Sequence, residues 1–337
     1  MRVLLIKTSS MGDVIHTLPA LTDAGHAIKD ITFDWMVEQA FAEIPLWHPL
    51  VNQIIPISLR RWRKGIFSRA THAEWRHLHQ QLRLQSYDLV IDAQGLIKSA
   101  FLMLFTKGLR AGLDFSSARE ALASLVYQRK MKVNFYQHAI VRMRQLFSQA
   151  LGYTLPTDTP DYGLKRPASL NTSHKYIVLL HGTTWVTKQW PEAYWIKLAE
   201  LAGTAGYEVK IGGGNAEEVA RALRIAKTGE HVKVKPYLSI AEMAQLLAGA
   251  HAVVAVDTGF GHLSAALNVP TVSLYGATNP AYTGALGKKT AHVAADFPCA
   301  PCLNRTCTYR ESSAVTPACY ASLSPEKVWE AVCNLCS

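Results

Sequence analysis

Asp13, Lys188, Glu218 and Asp257 are candidates for chemistry because each stands just past an apolar run, where a strand would end. The first lies in "KTSSMGDVIHTLPAL", residues 7 to 21, directly after "VLLI". A β-to-α turn needs only a turn former and a cap, so Asp13 reads either as a helix N-cap or as a base aimed at a substrate. Ser9, Ser10 and Gly12 are small enough to leave room for a ligand beside it.

The second half carries the parts of an anion cradle. In "YIVLLHGTTWVTKQWPE" a strand leads into Gly182, Thr183 and Thr184, then Lys188, then a helix start at Pro191. Backbone N–H groups, threonine hydroxyls and a lysine charge near a helix N-terminus suit a phosphate; an ordinary turn with a surface lysine is the plainer reading. "VKIGGGNAEEV" brings Glu217 and Glu218 into the first turn of a helix. A carboxylate there can accept ribose hydroxyls, although acids favour helix N-termini in any case. In "VVAVDTGFGHLSAAL", Asp257 could bind sugar hydroxyls and the N–H groups of Thr258 and Gly259 a phosphate. His262, taken singly, fits a core or capping role better than a catalytic one. "LYGATNP" suits a turn that holds a base through its backbone.

Cations concentrate in the first half. "RRWRK" packs Arg60, Arg61, Arg63 and Lys64 around Trp62, with Arg69 and Arg76 following. Arginine forks match phosphates and carboxylates, and a solvated charge run is the alternative. "DAQGLIKSA" places Asp92, Gln94 and Lys98 after another strand. The six cysteines all fall between 299 and 336. Cys299, Cys302, Cys307 and Cys319 could form a four-thiolate zinc site, or they are free thiols on a loop and a terminal helix. No GxGxxG, Walker A, HExxH or GxSxG segment occurs, nor any Asp-x-Asp, so a diphosphate would have to be held without a carboxylate-bound metal.

These residues need a scaffold that presents strand ends. Apolar runs alternate with helical patterns along the 337 residues: "RVLLIK", "TFDWMV", "QIIPI" and "DLVIDA", then "YIVLLH", "YEVKIG", "HVKVKP", "AVVAVD" and "TVSLYG". Buried strands separated by helices imply parallel sheets covered on both faces. The alternation breaks in the Pro-, Thr- and Ser-rich stretch 154–175. The expectation is an α/β chain with two doubly wound, Rossmann-like domains: 1–160, a linker at 161–175, and 176–322, with ligands in a cleft between them. The terminal helix 323–337, opened by Ser324-Pro325, is a candidate to pack back on the N-terminal domain. A hydrophobic fraction of 49% excludes disorder, and no apolar stretch reaches a membrane-spanning length. No signal peptide is evident, which points to the cytoplasm. The net charge of +10 points to an anionic partner.

Taken together, "KTSSMGDVIHTLPAL", "RRWRK", "DAQGLIKSA", "TTWVTKQWPE" and "VDTGFGHLSAAL" resemble, in order and over nearly the whole chain, the ADP-heptose-dependent heptosyltransferases of lipopolysaccharide inner-core synthesis, which have the GT-B fold. The first two segments fit the type I branch; the cysteine-rich tail is more like tails found elsewhere in the family. The resemblance implies an inverting, metal-independent transfer of L-glycero-D-manno-heptose from ADP to the first Kdo of Kdo2-lipid A, at the inner face of the cytoplasmic membrane. It implies Asp13 as base, with Lys188 stabilising the leaving group. Thr183, Thr184 and Lys188 would contact the diphosphate, Glu218 the ribose, and Asp257, Thr258, Gly259 and His262 the donor sugar and phosphate. Ser10, Arg60, Arg61, Arg63, Lys64 and Arg119 would face the acceptor. No cofactor is implied, since ADP-heptose is a co-substrate, and no nucleic-acid partner. Alternatives are a type II-like enzyme of a later core step, a GT-B nucleotide-sugar epimerase, or a basic binding protein without catalysis.

Overall fold

Arg2–Ile6 (β1) is all apolar after its first residue, and Val3 to Ile6 are fully buried. A strand without polar alternation belongs in the middle of a sheet covered on both faces. β1 takes that place in a computed structural model that describes residues 1–167 and 175–337. The other strands of its sheet are Thr32–Glu38 (β2), Val51–Ile57 (β3), Ser86–Asp92 (β4), Lys107–Leu113 (β5) and Arg129–Met131 (β6). Their order is β3-β2-β1-β4-β5-β6, every pairing parallel. The second sheet holds Tyr176–Leu180 (β7), Glu208–Gly213 (β8), Val232–Pro236 (β9), Ala252–Val256 (β10), Thr271–Tyr275 (β11) and Thr290–Ala294 (β12). Its order, β12-β11-β10-β7-β8-β9, is the same doubly wound pattern, again all parallel.

Each sheet therefore reverses direction once, between β1 and β4 in the first and between β7 and β10 in the second. The crevice at the carboxyl ends of those strands is where such sheets bind ligands.

The chain divides into two compact units, Met1–Lys165 and Arg166–Ser337. The division falls inside the stretch read as a linker, of which 168–174 lie outside the described residues. The C-terminal helix Pro325–Cys336 belongs to the second unit. Val328 and Val332 are buried in the core of the second unit, beside Leu198 and Ala202 of helix Glu192–Thr204. A parallel sheet needs a helix over each face, and this one covers the β10–β12 side.

Strands β5, β6 and β12 have no counterpart in the sequence reading. "KGLRAGL" has two glycines, "RKM" is three residues long, and "TAHVA" is weakly apolar. They form because a neighbouring strand supplies the ladder, which composition does not reveal. The glycines of "IGGGN" pack the fold tightly: a Cβ on Gly213 would meet the backbone nitrogen of Val219 at 2.6 Å, so only glycine lets helix Ala216–Ile225 sit this close.

Candidate active site

Helix Met11–Ile15 begins at the end of β1, with Ser10 as its N-cap. Asp13 is the third residue of the helix and not its N-cap: Ser10 donates to Asp13 Oδ2 through its backbone N–H (2.7 Å) and its hydroxyl (2.8 Å). One carboxylate oxygen thus holds the turn, and Asp13 is half-buried.

Cations surround this acid. Lys7 is buried and donates through Nζ to the Ala93 carbonyl at 2.9 Å. Burial pushes its ammonium down, against the pull of Asp13 and Asp92. Arg142, on helix Ala139–Leu151, is felt by Asp13 and Arg119 alike; burial lowers its pKa and the Asp13 charge opposes that. Its guanidinium lies 4.5 Å from the Phe135 ring centroid, and its Nε is buried without a partner among the described residues. Lys7 and Arg142 are absent from the sequence-based candidates. Lys7 reads there only as the end of a strand, and Arg142 sits mid-helix with no motif around it.

Asp92 and Gln94 act as braces. Fully buried, Asp92 accepts from Gln94 and Gly95 N–H groups at 2.8 and 3.1 Å, from Ser99 at 2.8 Å and from Tyr127 at 2.6 Å. Burial pushes its carboxyl up, and these four donors pull it back. Gln94 Oε1 accepts from the N–H groups of Thr8 and Ser9 at 3.0 and 3.2 Å, tying the β4 turn to the β1 turn. Gly95 adopts φ +66° and its carbonyl takes the Glu120 N–H, which brings Arg119 against the same turn. Lys98 is exposed.

Helix Leu59–Lys64 carries "RRWRK". Trp62 is buried and its indole N–H donates to Glu74 at 2.6 Å, so it anchors the helix and offers no stacking face. Arg61 forms a two-point pair with Glu74 (2.9 and 2.6 Å). Arg60, Arg63 and Lys64 are exposed, with no side-chain partner among the described residues.

In the second unit the centre is Asp257, just past β10 and 8% exposed. Its Oδ2 takes Lys188 Nζ at 2.8 Å and the Thr278 hydroxyl at 2.7 Å; its Oδ1 lies 3.7 Å from His262 Nε2. Burial alone would raise this carboxyl, but the neighbouring His262 ring and the Lys188 charge outweigh it and hold it well below the usual carboxylate range. Thr183 donates to the Asp257 carbonyl at 3.3 Å, joining the β7 turn to the β10 turn across the reversal point. Thr258 is the N-cap residue of helix Gly259–Ala266, which starts directly after the β10 turn. Thr184 is exposed. Thr278, at the end of "LYGAT", completes the Asp257 shell; the sequence suggests a turn there and nothing about its partner.

Glu218 sits on the third residue of helix Ala216–Ile225 and accepts from Gly214 N–H at 2.8 Å. A Cβ on Gly182 would meet Glu218 Oε1 at 2.6 Å, so this carboxylate lies against the β7 turn. Glu217 points away, 81% exposed and 3.6 Å from Arg221. All six cysteines are free. Cys319 is the buried one; burial, with the thiols of Cys299, Cys302 and Cys307 adding to it, pushes it up to about 11. Among the described residues no three His, Cys, Asp or Glu side chains are grouped to hold a metal.

Two crevices so furnished, one built around a carboxylate with cations and one around an ion pair beside a helix N-terminus, have counterparts in known proteins. Residues 75–312 match the model of glycosyltransferase family 9 (heptosyltransferase). Lipopolysaccharide heptosyltransferase 1 of Pseudomonas aeruginosa is 54% identical over 97% of this chain and 96% of its own length. The enzyme of the same name from Escherichia coli K12 is 47% identical over 86% and 92%. The solved structure of E. coli heptosyltransferase WaaC with ADP superposes with a TM-score of 0.88 at 41% identity, covering 99% of this chain and all of that one. With a family model spanning most of its length and near relatives along all of it, this chain belongs to glycosyltransferase family 9, the heptosyltransferases, and shares their two-sheet α/β fold.

Proposed function

We propose that the chain transfers L-glycero-D-manno-heptose from ADP-heptose to the first Kdo of Kdo2-lipid A, with inversion and without a metal. The observation that carries the donor half is the Lys188–Asp257 pair at the β7/β10 reversal, flanked by Thr183 and the start of helix Gly259–Ala266. A preorganised cation and N–H groups stabilise a departing diphosphate without rearranging when the bond breaks. The WaaC relative solved with ADP, and again with ADP-2-deoxy-2-fluoro heptose, supports the identity of that nucleotide. Asp257 itself is saturated by Lys188, Thr278 and His262, so its part is to hold Lys188 and the turn in place.

On the acceptor side Asp13 takes the proton of the attacking hydroxyl. A carboxylate is a weak base toward an alcohol and becomes effective as the C–O bond forms and the hydroxyl acidifies. The oxygen attacks the anomeric carbon, the bond to the diphosphate breaks, and ADP leaves with the charge. Arg119 and Arg142, with the exposed Arg60, Arg63 and Lys64, suit the carboxylates and phosphates of the acceptor. The net charge of +10 suits an anionic bilayer as well, which supports a cytoplasmic protein peripheral to the inner membrane. Among the described residues no helix is long and apolar enough to cross one.

Mass spectrometry of the products from ADP-heptose and two acceptors tests this reading. Kdo2-lipid A should gain one heptose, linked with the anomeric configuration opposite to the donor's, and a chelator should leave the rate unchanged. Transfer only to an acceptor that already carries the first heptose would assign the chain to a later step.

A further inference from the structure

We propose that Arg305, on the cysteine-bearing loop before the last helix, is a second cation for the donor's diphosphate, an inference that rests on the ADP-heptose reading above. The charge balance at the pair calls for one. Lys188 is 2.8 Å from Asp257, whose carboxyl is held ionised, so the two together present little net charge to an incoming anion. A nucleoside diphosphate brings at least two negative charges, and more develops as it leaves.

Arg305 stands on the same platform as Lys188. Its guanidinium carbon lies 5.2 Å from the centroid of the Trp185 ring, and Lys188 Nζ lies 4.5 Å from that centroid. Unlike Lys188, it has no carboxylate partner among the described residues. Its backbone is fixed on both sides of the crevice edge. The Leu303 N–H donates to the Ala277 carbonyl at 2.8 Å, next to Thr278, which holds Asp257. The Thr187 hydroxyl donates to the Asn304 carbonyl at 2.5 Å, next to Lys188. A further anchor comes from the Tyr320 hydroxyl, which donates to the Lys188 carbonyl at 2.9 Å. The loop thus clips the β7 turn to the β11 turn and sets an uncompensated guanidinium over the aromatic ring between them. A guanidinium held over an indole face can still turn its N–H donors outward, which suits two-point contact with phosphate oxygens.

Titrations of ADP and of adenosine, followed by NMR, test the assignment on the full chain. Arg305→Gln should weaken ADP binding about tenfold, the loss of one charge-assisted contact. It should leave adenosine binding unchanged, and the gap to wild type should narrow as salt rises. Arg305→Lys should fall between the two. Arg310→Gln, which removes an exposed cation from the same loop, should bind both ligands like wild type. Equal ADP affinity for Arg305→Gln and wild type would overturn the proposal. So would an equal loss for ADP and adenosine, which would mark a displaced loop. Failure of the wild-type protein to bind ADP would instead remove the donor reading itself.

Discussion

Asp13 and Asp257 show how one side-chain type takes opposite duties. Asp13 uses one oxygen to hold its own helix start, and under the proposed function it also takes the proton of the attacking hydroxyl. Its replacement by Asn keeps the shape and removes the base; turnover should fall about 10²- to 10⁴-fold with ADP affinity unchanged. Near-normal turnover would take the base role away from this residue. Asp257 has both oxygens engaged and is stabilised as an anion. Folding lowers its proton affinity, so its contribution to stability is complete above the pKa of an unfolded aspartate, about 3.9, and is lost as pH falls toward the lower folded value. Urea denaturation at about pH 5 and about pH 3 should show wild type losing more stability on acidification than Asp257→Asn. Parallel profiles would contradict the ion-pair account. Both acids are legible in the sequence from their place after an apolar run; their partners are not, because Lys188 and Thr278 reach Asp257 from different strands.

At the scale of elements, the site depends on turns that are braced by other turns. Gln94 fastens the β1 turn to the β4 turn, and Thr183 fastens the β7 turn to the β10 turn. Helices Leu18–Ala27 and Ala139–Leu151 are joined by a buried two-point pair, Arg144 to Asp23 at 2.6 and 3.1 Å. Arg142, whose charge is coupled to Asp13 and Arg119 although both are far from it in sequence, is carried on that second helix. Removing one partner, as in Arg144→Met, strands a buried carboxylate and should cost about 3–5 kcal/mol in urea denaturation. The double replacement Asp23→Leu with Arg144→Met should recover most of the loss, and no recovery would mean that the pair's charge, and not its burial, matters. The helix caps at Ser239 and Ser324 are readable in sequence because capping is local. The weak strands β5, β6 and β12 are not, because their pairing energy comes from neighbours distant in the chain.

For the whole molecule the consequence of the charge is a binding preference. The exposed Arg60, Arg63 and Lys64 belong to the first unit, while the groups proposed to bind ADP belong to the second. Replacing the three by alanine should weaken binding to vesicles rich in anionic lipid, and raise the KM for Kdo2-lipid A, by at least about tenfold at low salt. ADP affinity should not change. A matching loss of ADP affinity would show that these cations are not confined to the acceptor side. The two units repeat one topology without repeating a sequence, and each brings its chemistry to its own reversal point.

By itself the sequence determined the fold class, and it pointed to a linker within 154–175 and to the turns after the apolar runs, because burial periodicity, turn formers and caps act over a few residues. Only the tertiary structure decided which of those residues meet. Asp13 proved to be the third helical residue and not the cap, Asp92 a brace, Arg61 a partner of Glu74, and Arg142 and Arg305 neighbours of sites their sequence context does not suggest. Contacts such as Lys188 with Asp257, made between residues far apart in the chain, exist only once parallel strands have been ordered, and no local pattern encodes that order.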